Sequence, residues 1–171
     1  MFGKAHKQPK QTKSKKSLTD PKEVKAPRDL VLVDVLVSST PGLIAQMAGF
    51  LMCKQYKYAC VFVDHFSDFR YVYMMKDQTA NKALDAKLAF EAYSKAHGIE
   101  VKWYHADNGV FATQQWKEDC YQQWQLLTFA GVNAHHQNGK AKRRIHTLQD
   151  LARCMLIHAN HQWDSAISVN L

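Results

Sequence analysis

Residues 30–37 (LVLVDVLV) form an unbroken branched-aliphatic run that carries one charge, Asp34, in its middle. A continuous apolar run, as opposed to an alternating one, predicts a strand that is buried on both faces. We predict this strand over residues 29–37 and expect residues 38–42 to end it. A carboxylate inside such a strand is costly unless it is paired or bound to a metal. The chain must therefore cover both faces of a sheet and provide a partner for Asp34.

The remaining apolar pattern predicts four more strands and three helices. A tight turn at residues 64–68 makes the second and third strands an antiparallel hairpin. The fold class that follows is α/β: a five-stranded mixed sheet, its first three strands antiparallel, flanked by helices. Residues 43–57 stay ambiguous, and residues 131–138 are predicted as a loop. The predicted strands cover residues 58–63, 69–75, 99–105 and 125–129, and the predicted helices cover residues 80–97, 112–123 and 140–160.

Several side chains are predicted to face the core because of their helical spacing or aromatic bulk. Thr79 is a suitable N-cap and Gly98 a suitable C-cap for the first helix. Asp64 is placed in a surface turn. The expected inward residues are Leu84, Leu88, Ala89, Ala92 and Tyr93 in the first helix, Trp116 and Cys120 in the second, Ile145, Leu148, Ala152 and Met155 in the third, and Trp103, Tyr104 and Trp124 between them.

The chain has a formal net charge of +8, and nearly all of this charge lies in the first 28 residues. Residues 1–28 carry nine Lys or Arg against Asp20 and Glu23, with almost no large apolar residues. We expect a flexible basic arm there. It either contacts a polyanion, most often nucleic acid, or only solubilises the chain.

The four cysteines show no CxxC pair and no regular spacing: Cys53, Cys60, Cys120 and Cys154. This usage is typical of reduced thiols in an intracellular protein and predicts no zinc site. The most apolar stretch, residues 42–52, is far shorter than the roughly 20 residues that a membrane span needs. We therefore expect no membrane segment. The Lys-rich start, with no apolar run behind it, also predicts no signal peptide.

Asp107 is the second candidate for chemistry, because Asp107-Asn108-Gly109 follows an aromatic run and so lies where a strand ends. If its strand neighbours that of Asp34, the two carboxylates converge and repel by roughly 4 kcal/mol at about 4 Å and an effective dielectric near 20. Mg²⁺ or Mn²⁺ relieves that repulsion and supports hydrolysis or transfer at a phosphodiester. The structural alternatives stay open: Asp34 bonded to backbone, and Asp107 as an Asx-turn residue.

A turn at Gln137-Asn138-Gly139 opens a basic helix that begins with Lys140, Lys142, Arg143 and Arg144. Cations at a helix N-terminus favour phosphate, so Asn138 and these four side chains are candidate nucleic-acid contacts. The alternative is a solvated helix face. His135 and His136 precede the turn without a third partner at metal spacing, which favours a loop or a phosphate contact.

Residues 29–161 resemble the integrase catalytic core of copia-type retrotransposons, a member of the retroviral-integrase, RNase H-like superfamily. The resemblance covers about three quarters of the chain and rests on the order of several short blocks. These are Asp34, residues 60–67 (CVFVDHFS), residues 106–109 (ADNG), residues 137–139 (QNG) with Ala141 and Arg143, and Thr147-Leu148 with residues 152–156 (ARCML). It implies an RNase H-like fold and Mg²⁺- or Mn²⁺-dependent end processing and strand transfer of DNA.

The resemblance also implies a D,D,E triad that binds two metal ions, of which Asp34 and Asp107 are the first two members. Lys142, 35 positions after Asp107, stands where the third member, a Glu, belongs. An ammonium cannot ligate Mg²⁺, so we expect a domain that keeps the fold and has lost most or all activity. The alternatives are a non-enzymatic DNA- or RNA-binding module and, with less support, another RNase H-like nuclease.

The resemblance further implies DNA as partner, a possible homo-oligomer, and a place inside the cell, in the nucleus or a cytoplasmic particle. Residues 1–5 resemble the segment just after the family's N-terminal zinc-binding CxxC, and the His and Cys ligands that should precede that segment are absent. Residues 163–171 stop where the family's core continues. We therefore expect three parts: a basic arm over residues 1–28, a core-like domain over residues 29–162 and a truncated C-terminal segment from a decayed element.

Overall fold

The computed structural model describes residues 24–43, 55–131 and 138–162, and all structural statements concern these residues. They form a five-stranded sheet in the order β3-β2-β1-β4-β5 with helices on both faces. This confirms the predicted α/β class and mixed sheet. The elements are β1 Val31–Leu43, β2 Gln55–Asp64, β3 Arg70–Met75, α1 Ala80–Ala96, β4 Trp103–Ala106, a 3₁₀ turn Val110–Ala112, α2 Gln114–Gln122, β5 Leu126–Phe129 and α3 Gly139–Gln162.

β1 is the central strand and pairs antiparallel with β2 and parallel with β4. Its alternate side chains enter two separate cores, as expected for a strand buried on both faces. Val31 and Val33 pack with α1 and α2, whereas Leu30 and Leu32 pack beneath α3. The α3 face is the one that also receives Asp34, two residues after Leu32.

β1 is longer than predicted, because it continues past residues 38–42 to Leu43. The register with β2 shifts between Val37 and Gly42, so an irregularity accommodates the turn-like residues without ending the strand. On the other side of β1, β4 is shorter than predicted and begins at Trp103. The basic arm before residue 24, most of the ambiguous stretch, residues 132–137 with both histidines, and the segment after residue 162 lie outside the described residues.

The ends of α1 confirm the predicted caps. The Thr79 hydroxyl accepts a hydrogen bond from the Lys82 N–H at 3.4 Å. Gly98 follows the helix with φ of +68°, the left-handed conformation that glycine adopts without a steric penalty.

The inward face of α1 was predicted wrongly. Leu88 is 46% exposed and Ala92 is also exposed, whereas Phe90 is completely buried. The residues that α1 buries are Ala83, Ala86, Lys87, Phe90, Glu91 and Ser94. An apolar stripe was the wrong criterion here, because the buried face of α1 contains the charged residues Lys87 and Glu91. Leu88 lies on the exposed face.

Lys87 is tolerated in the core because two carboxylates neutralise it. Its Nζ donates to Glu91 at 2.7 Å and also to Asp119 of α2. The ammonium lies 5.3 Å from the ring centre of Tyr104, whose hydroxyl donates to the same Glu91 oxygen. Paired in this way, the buried charge connects α1, α2 and β4, and no unpaired ion remains at this point of the core.

Asp64 is buried and does not lie at the surface as predicted. It is 1% exposed, and its carboxylate accepts the N–H groups of Arg28 at 2.6 Å and Ser67 at 2.8 Å. The Asp64 side chain thereby joins the segment before β1, at Arg28, to the turn between β2 and β3. A carboxylate that accepts several backbone donors stays satisfied without solvent.

Three further predictions of burial fail. Trp124 is 92% exposed, and in the second half of α3 Met155 is 72% exposed and Ala152 is also exposed. Trp116, Cys120 and Tyr104 are buried as predicted, and Ile145 packs on the sheet. Spacing identifies an apolar face, but it does not show how far the sheet extends beneath a helix.

We expect Phe90→Ala to lower the free energy of unfolding by about 3–5 kcal/mol, because the ring fills the core between α1 and the sheet. Leu88→Ala, two residues away, should cost less than about 1 kcal/mol, because Leu88 is half exposed. Urea unfolding of both variants measures the difference. Equal losses would contradict the observed orientation of α1.

Candidate active site

Asp34 lies on β1, and Asp107 directly follows β4, the strand next to it. β1 and β4 run parallel with Val33 opposite Ala106, and each of these two residues is followed by an aspartate. Neighbouring strands are about 4.8 Å apart, and residues at matching positions point to the same face. The sheet therefore places close together two aspartates that are separated by 73 positions in the sequence.

Asp34 is the buried member of the pair, with 9% of its surface exposed. Burial raises the pKa of Asp34 above its ordinary value, and the Asp107 carboxylate raises it further. The Val35 N–H, which donates to Oδ1 at 2.9 Å, and the Lys142 ammonium act in the opposite direction. Asp34 thus combines a backbone hydrogen bond, which was the structural alternative, with a place beside a second acid.

Asp107 has the local geometry of an Asx turn. Its Oδ1 accepts the Asn108 N–H at 2.7 Å. The Asn108 side chain donates to the carbonyl of Ala130 at 2.8 Å, which joins the end of β4 to the end of β5. The turn therefore holds the Asp107 carboxylate at the end of β4.

Lys142 lies on the first turns of α3 and is half-buried. Its charge acts on Asp34 through space, because no ion pair joins Lys142 to Asp34 or Asp107 among the described residues. The ammonium nevertheless adds positive charge to the side of the cleft where a third carboxylate would complete an acidic site.

Asn138 docks the start of α3 onto the central strand. Its Nδ2 donates to the carbonyl of Val33 at 3.2 Å, one residue before Asp34, and the side chain is 1% exposed. Its prediction as a nucleic-acid contact is corrected, because a side chain buried in this way does not face a ligand. The residue instead sets the distance between the helix and the two aspartates.

Lys140 and Arg144 are held by the β2–β3 turn. Lys140 Nζ pairs with Asp68 at 3.0 Å and donates to the carbonyl of His65, and Arg144 pairs with the same Asp68 carboxylate. The Lys140 hydrogen bond is the main reason that the pKa of Asp68 lies below its ordinary value. These two cations are engaged within the protein, which leaves exposed Arg143 as the free arginine of the cluster in the described structure.

Asp68 is the residue that sequence reasoning missed. It lies in a hairpin turn with φ of +59°, and nothing in its immediate neighbours indicates a long-range partner. The available signal was the cluster of cations at the start of α3, which favours an acidic partner elsewhere in the chain. The turn and α3 meet only after the chain has folded.

The residues at this cleft do not fit a two-metal centre. Carboxylate oxygens are suitable ligands for Mg²⁺ or Mn²⁺, but the cleft offers two aspartates and an ammonium. No group of three or more His, Cys, Asp or Glu with metal-binding geometry occurs in the described part of the chain. The mismatch lies in the donor set, because Lys142 contributes charge of the wrong sign.

The fold is similar to that of retroviral integrase catalytic cores. The HTLV-2 integrase catalytic core domain, solved in complex with magnesium in a dimeric form, aligns with a TM-score of 0.52 at 16% identity over 82% of this chain and 78% of that one. The BIV integrase catalytic core gives 0.54 at 18% identity over 82% and 75%. A chain of the simian T-cell lymphotropic virus intasome with PP2A subunit B56 gamma gives 0.58 at 16% identity over 84% and 45%.

These similarities establish the RNase H-like fold of integrase catalytic cores for this chain. No protein-family model matches the sequence, and no curated protein matches it either. Among the described helices, none has the length and apolar character needed to cross a bilayer.

We expect Asp34→Asn to stabilise the protein at neutral pH and to have a smaller effect in acid. A carboxyl whose pKa is raised by folding disfavours the folded state once the pH exceeds its ordinary pKa of 3.8, and this penalty is complete above the folded pKa. Unfolding measured from pH 3 to pH 8 tests the direction. A difference between variant and parent that is the same at every pH would contradict it.

Lys142→Gln provides the matching test of the through-space interaction. The substitution should lower the free energy of unfolding at neutral pH, because Asp34 loses the favourable charge of Lys142. It should have less effect in a protein that already carries Asp34→Asn. A double-mutant cycle isolates the interaction. Additive effects would show that Lys142 and Asp34 do not interact.

Proposed function

We propose that this chain is an integrase-type catalytic core, of the kind found in copia-type retrotransposons, that binds nucleic acid and has lost most of its phosphoryl-transfer activity. The observation that carries the proposal is that Asp34 and Asp107 follow the paired residues Val33 and Ala106 of adjacent parallel strands, and that the charges of Asp107 and of Lys142 on α3 both act on Asp34. Two acids at this point of an integrase-core fold support the ancestry of the site. The ammonium supports its impairment.

The impairment follows from charge. A two-metal site stabilises the attacking and leaving oxygens of a phosphodiester and needs anionic ligands around the ions. Asp34 and Asp107 supply two negative charges, and Lys142 offsets one of them, so a divalent cation is attracted less. Removing a ligating carboxylate from such a site nearly abolishes transfer.

The second candidate function is nucleic-acid binding without catalysis, as a relic or an adopted module. Lys142 and exposed Arg143 at the start of α3 favour it, together with the positive charge of residues 1–28. Phosphate groups are attracted by such cations whether or not metal is present. Cleavage or joining of a labelled duplex in Mn²⁺ separates the two functions, because only the first predicts residual product.

We expect Lys142→Glu to create divalent-metal binding at the cleft. The variant adds a third carboxylate beside Asp34 and Asp107 and removes the opposing charge. At a hundredfold excess over the dissociation constant, Mg²⁺ or Mn²⁺ should then stabilise the fold by about 2.7 kcal/mol. Calorimetric titration and thermal unfolding in each metal measure the effect.

Two controls make that experiment decisive. Lys142→Gln removes the ammonium without adding a ligand and should gain little metal binding, and Lys142→Glu combined with Asp107→Asn should lose the gain. A Lys142→Glu protein that folds but binds neither metal would count against an integrase-type cleft.

Arg143→Gln should weaken DNA binding and make it less sensitive to salt. Each phosphate contact contributes about 0.9 to the slope of log affinity against log salt, so the slope should fall in magnitude by about that amount. Lys82→Gln is the control, because Lys82 lies on α1 across the sheet and pairs with Asp85. Fluorescence anisotropy with a duplex at several salt concentrations measures both. Equal slopes for the two variants would place the DNA on another surface.

Assembly and location belong to the same proposal. The HTLV-2 core was solved in dimeric and trimeric forms, which supports testing this chain for homo-oligomers. The proposal places the protein inside the cell, in the nucleus or a cytoplasmic particle.

A further inference from the structure

A cavity of about 210 Å³ lies on the opposite face of the sheet from the two aspartates, where the C-terminal ends of α1 and α2 meet. Its lining includes Glu91 and Ser94 of α1, Gln122 of α2, and Trp124 and Gln125 of the segment before β5. The volume equals that of roughly seven water molecules, enough for a small organic group. No part of the candidate active site contributes to it.

One oxygen of Glu91 remains available at this cavity. Oε1 accepts hydrogen bonds from Lys87 at 2.7 Å, Tyr104 at 2.9 Å and Gln125 at 2.7 Å. No hydrogen bond to Oε2 from any described residue accompanies them. Glu91 is 5% exposed and lines the cavity, so the carboxylate combines a fixed position with an unused acceptor.

The surroundings favour a positive ligand. Buried Lys87 pairs with buried Glu91 and with partly exposed Asp119, so this cluster carries one net negative charge. Both helices end here, and a helix C-terminus carries partial negative charge. The carbonyl oxygen of Gln125, Oε1, lies behind the cavity wall without a hydrogen-bond partner in the described structure and adds partial negative charge. At the rim, the opposite charges of exposed Lys95 and exposed Glu100 sum to zero.

Trp124 supplies a stacking surface at the same rim. Its indole is 92% exposed, and its backbone has φ of +56°, a conformation that costs energy for a residue other than glycine. The indole is therefore held in solvent at the mouth of a cavity that has a carboxylate in its wall. A flat cation can stack on an indole and donate hydrogen bonds from its edge at the same time.

We propose that this cavity binds a guanidinium group, stacked on Trp124 and hydrogen-bonded to Glu91. Guanidinium fits better than ammonium because it is planar, carries several N–H donors and is more weakly hydrated. A free small molecule and an arginine side chain of a peptide provide the same group. The site is independent of the proposed nucleic-acid function.

The test is a titration of the full chain with agmatine, followed by the Trp124 indole N–H resonance at low ionic strength. We expect a saturable shift that N-acetylarginine amide reproduces if a peptide arginine is accepted, whereas butylammonium should bind more weakly and uncharged N-methylurea should not bind. Saturation by agmatine alone would assign the site to free ligands. No saturable shift with agmatine would overturn the proposal.

A pair of exposed aromatic residues provides the matched control. Trp124→Ala should weaken agmatine binding about three- to tenfold, followed through the backbone resonances of the cavity. Tyr121→Ala should leave it unchanged, because Tyr121 is 81% exposed but does not line this cavity. Equal effects of the two substitutions would overturn the stacking assignment. Glu91→Gln should abolish agmatine binding. If this variant does not fold, the comparison of Trp124→Ala with Tyr121→Ala still tests the proposal.

Discussion

The parallel pairing of β1 with β4 is the contact on which the rest of the candidate active site depends. Val33 lies opposite Ala106, and an aspartate follows each of these residues, Asp34 within β1 and Asp107 just beyond β4. A shift of one residue in this register would move one aspartate to the other face of the sheet. The apolar residues of β1 thus hold the acids together, although none of them takes part in chemistry.

The attachment of α3 is separable from the charge at position 142. Ala141 and Ile145 pack on the sheet, and Asn138 is tied to the carbonyl of Val33. Lys140 and Arg144 are anchored to Asp68 of the hairpin turn. Since Lys142 takes part in none of these contacts, the docking of the helix does not depend on the charge at that position. The fold therefore accommodates a lysine at position 142 without losing the contacts that attach α3.

Buried charge is handled differently on the two faces of the sheet. On the α1 face, Lys87 is neutralised by Glu91 and Asp119 in direct contact, so the ionic groups support packing. On the α3 face, Asp34 has a backbone hydrogen bond and only the through-space influence of Lys142, and burial leaves its pKa raised. A carboxylate kept beside another carboxylate without a contacting cation is typical of a functional site, where the arrangement is not optimal for stability.

The sequence alone determined the strands, the hairpin, the caps of α1 and the pair of candidate acids, because apolar runs, turn residues and a charge within a strand are local signals. The family resemblance further predicted a Glu where Lys142 stands, and the loss of activity that it implies stays a prediction. Only the tertiary structure decided that Lys87 and Glu91 are buried while Leu88 is exposed, that Asp64 is buried beneath the hairpin turn, and that Asp68 holds Lys140 and Arg144. Those outcomes depend on partners distant in the chain, and the energy of a buried ion is set by the atoms that surround it after folding.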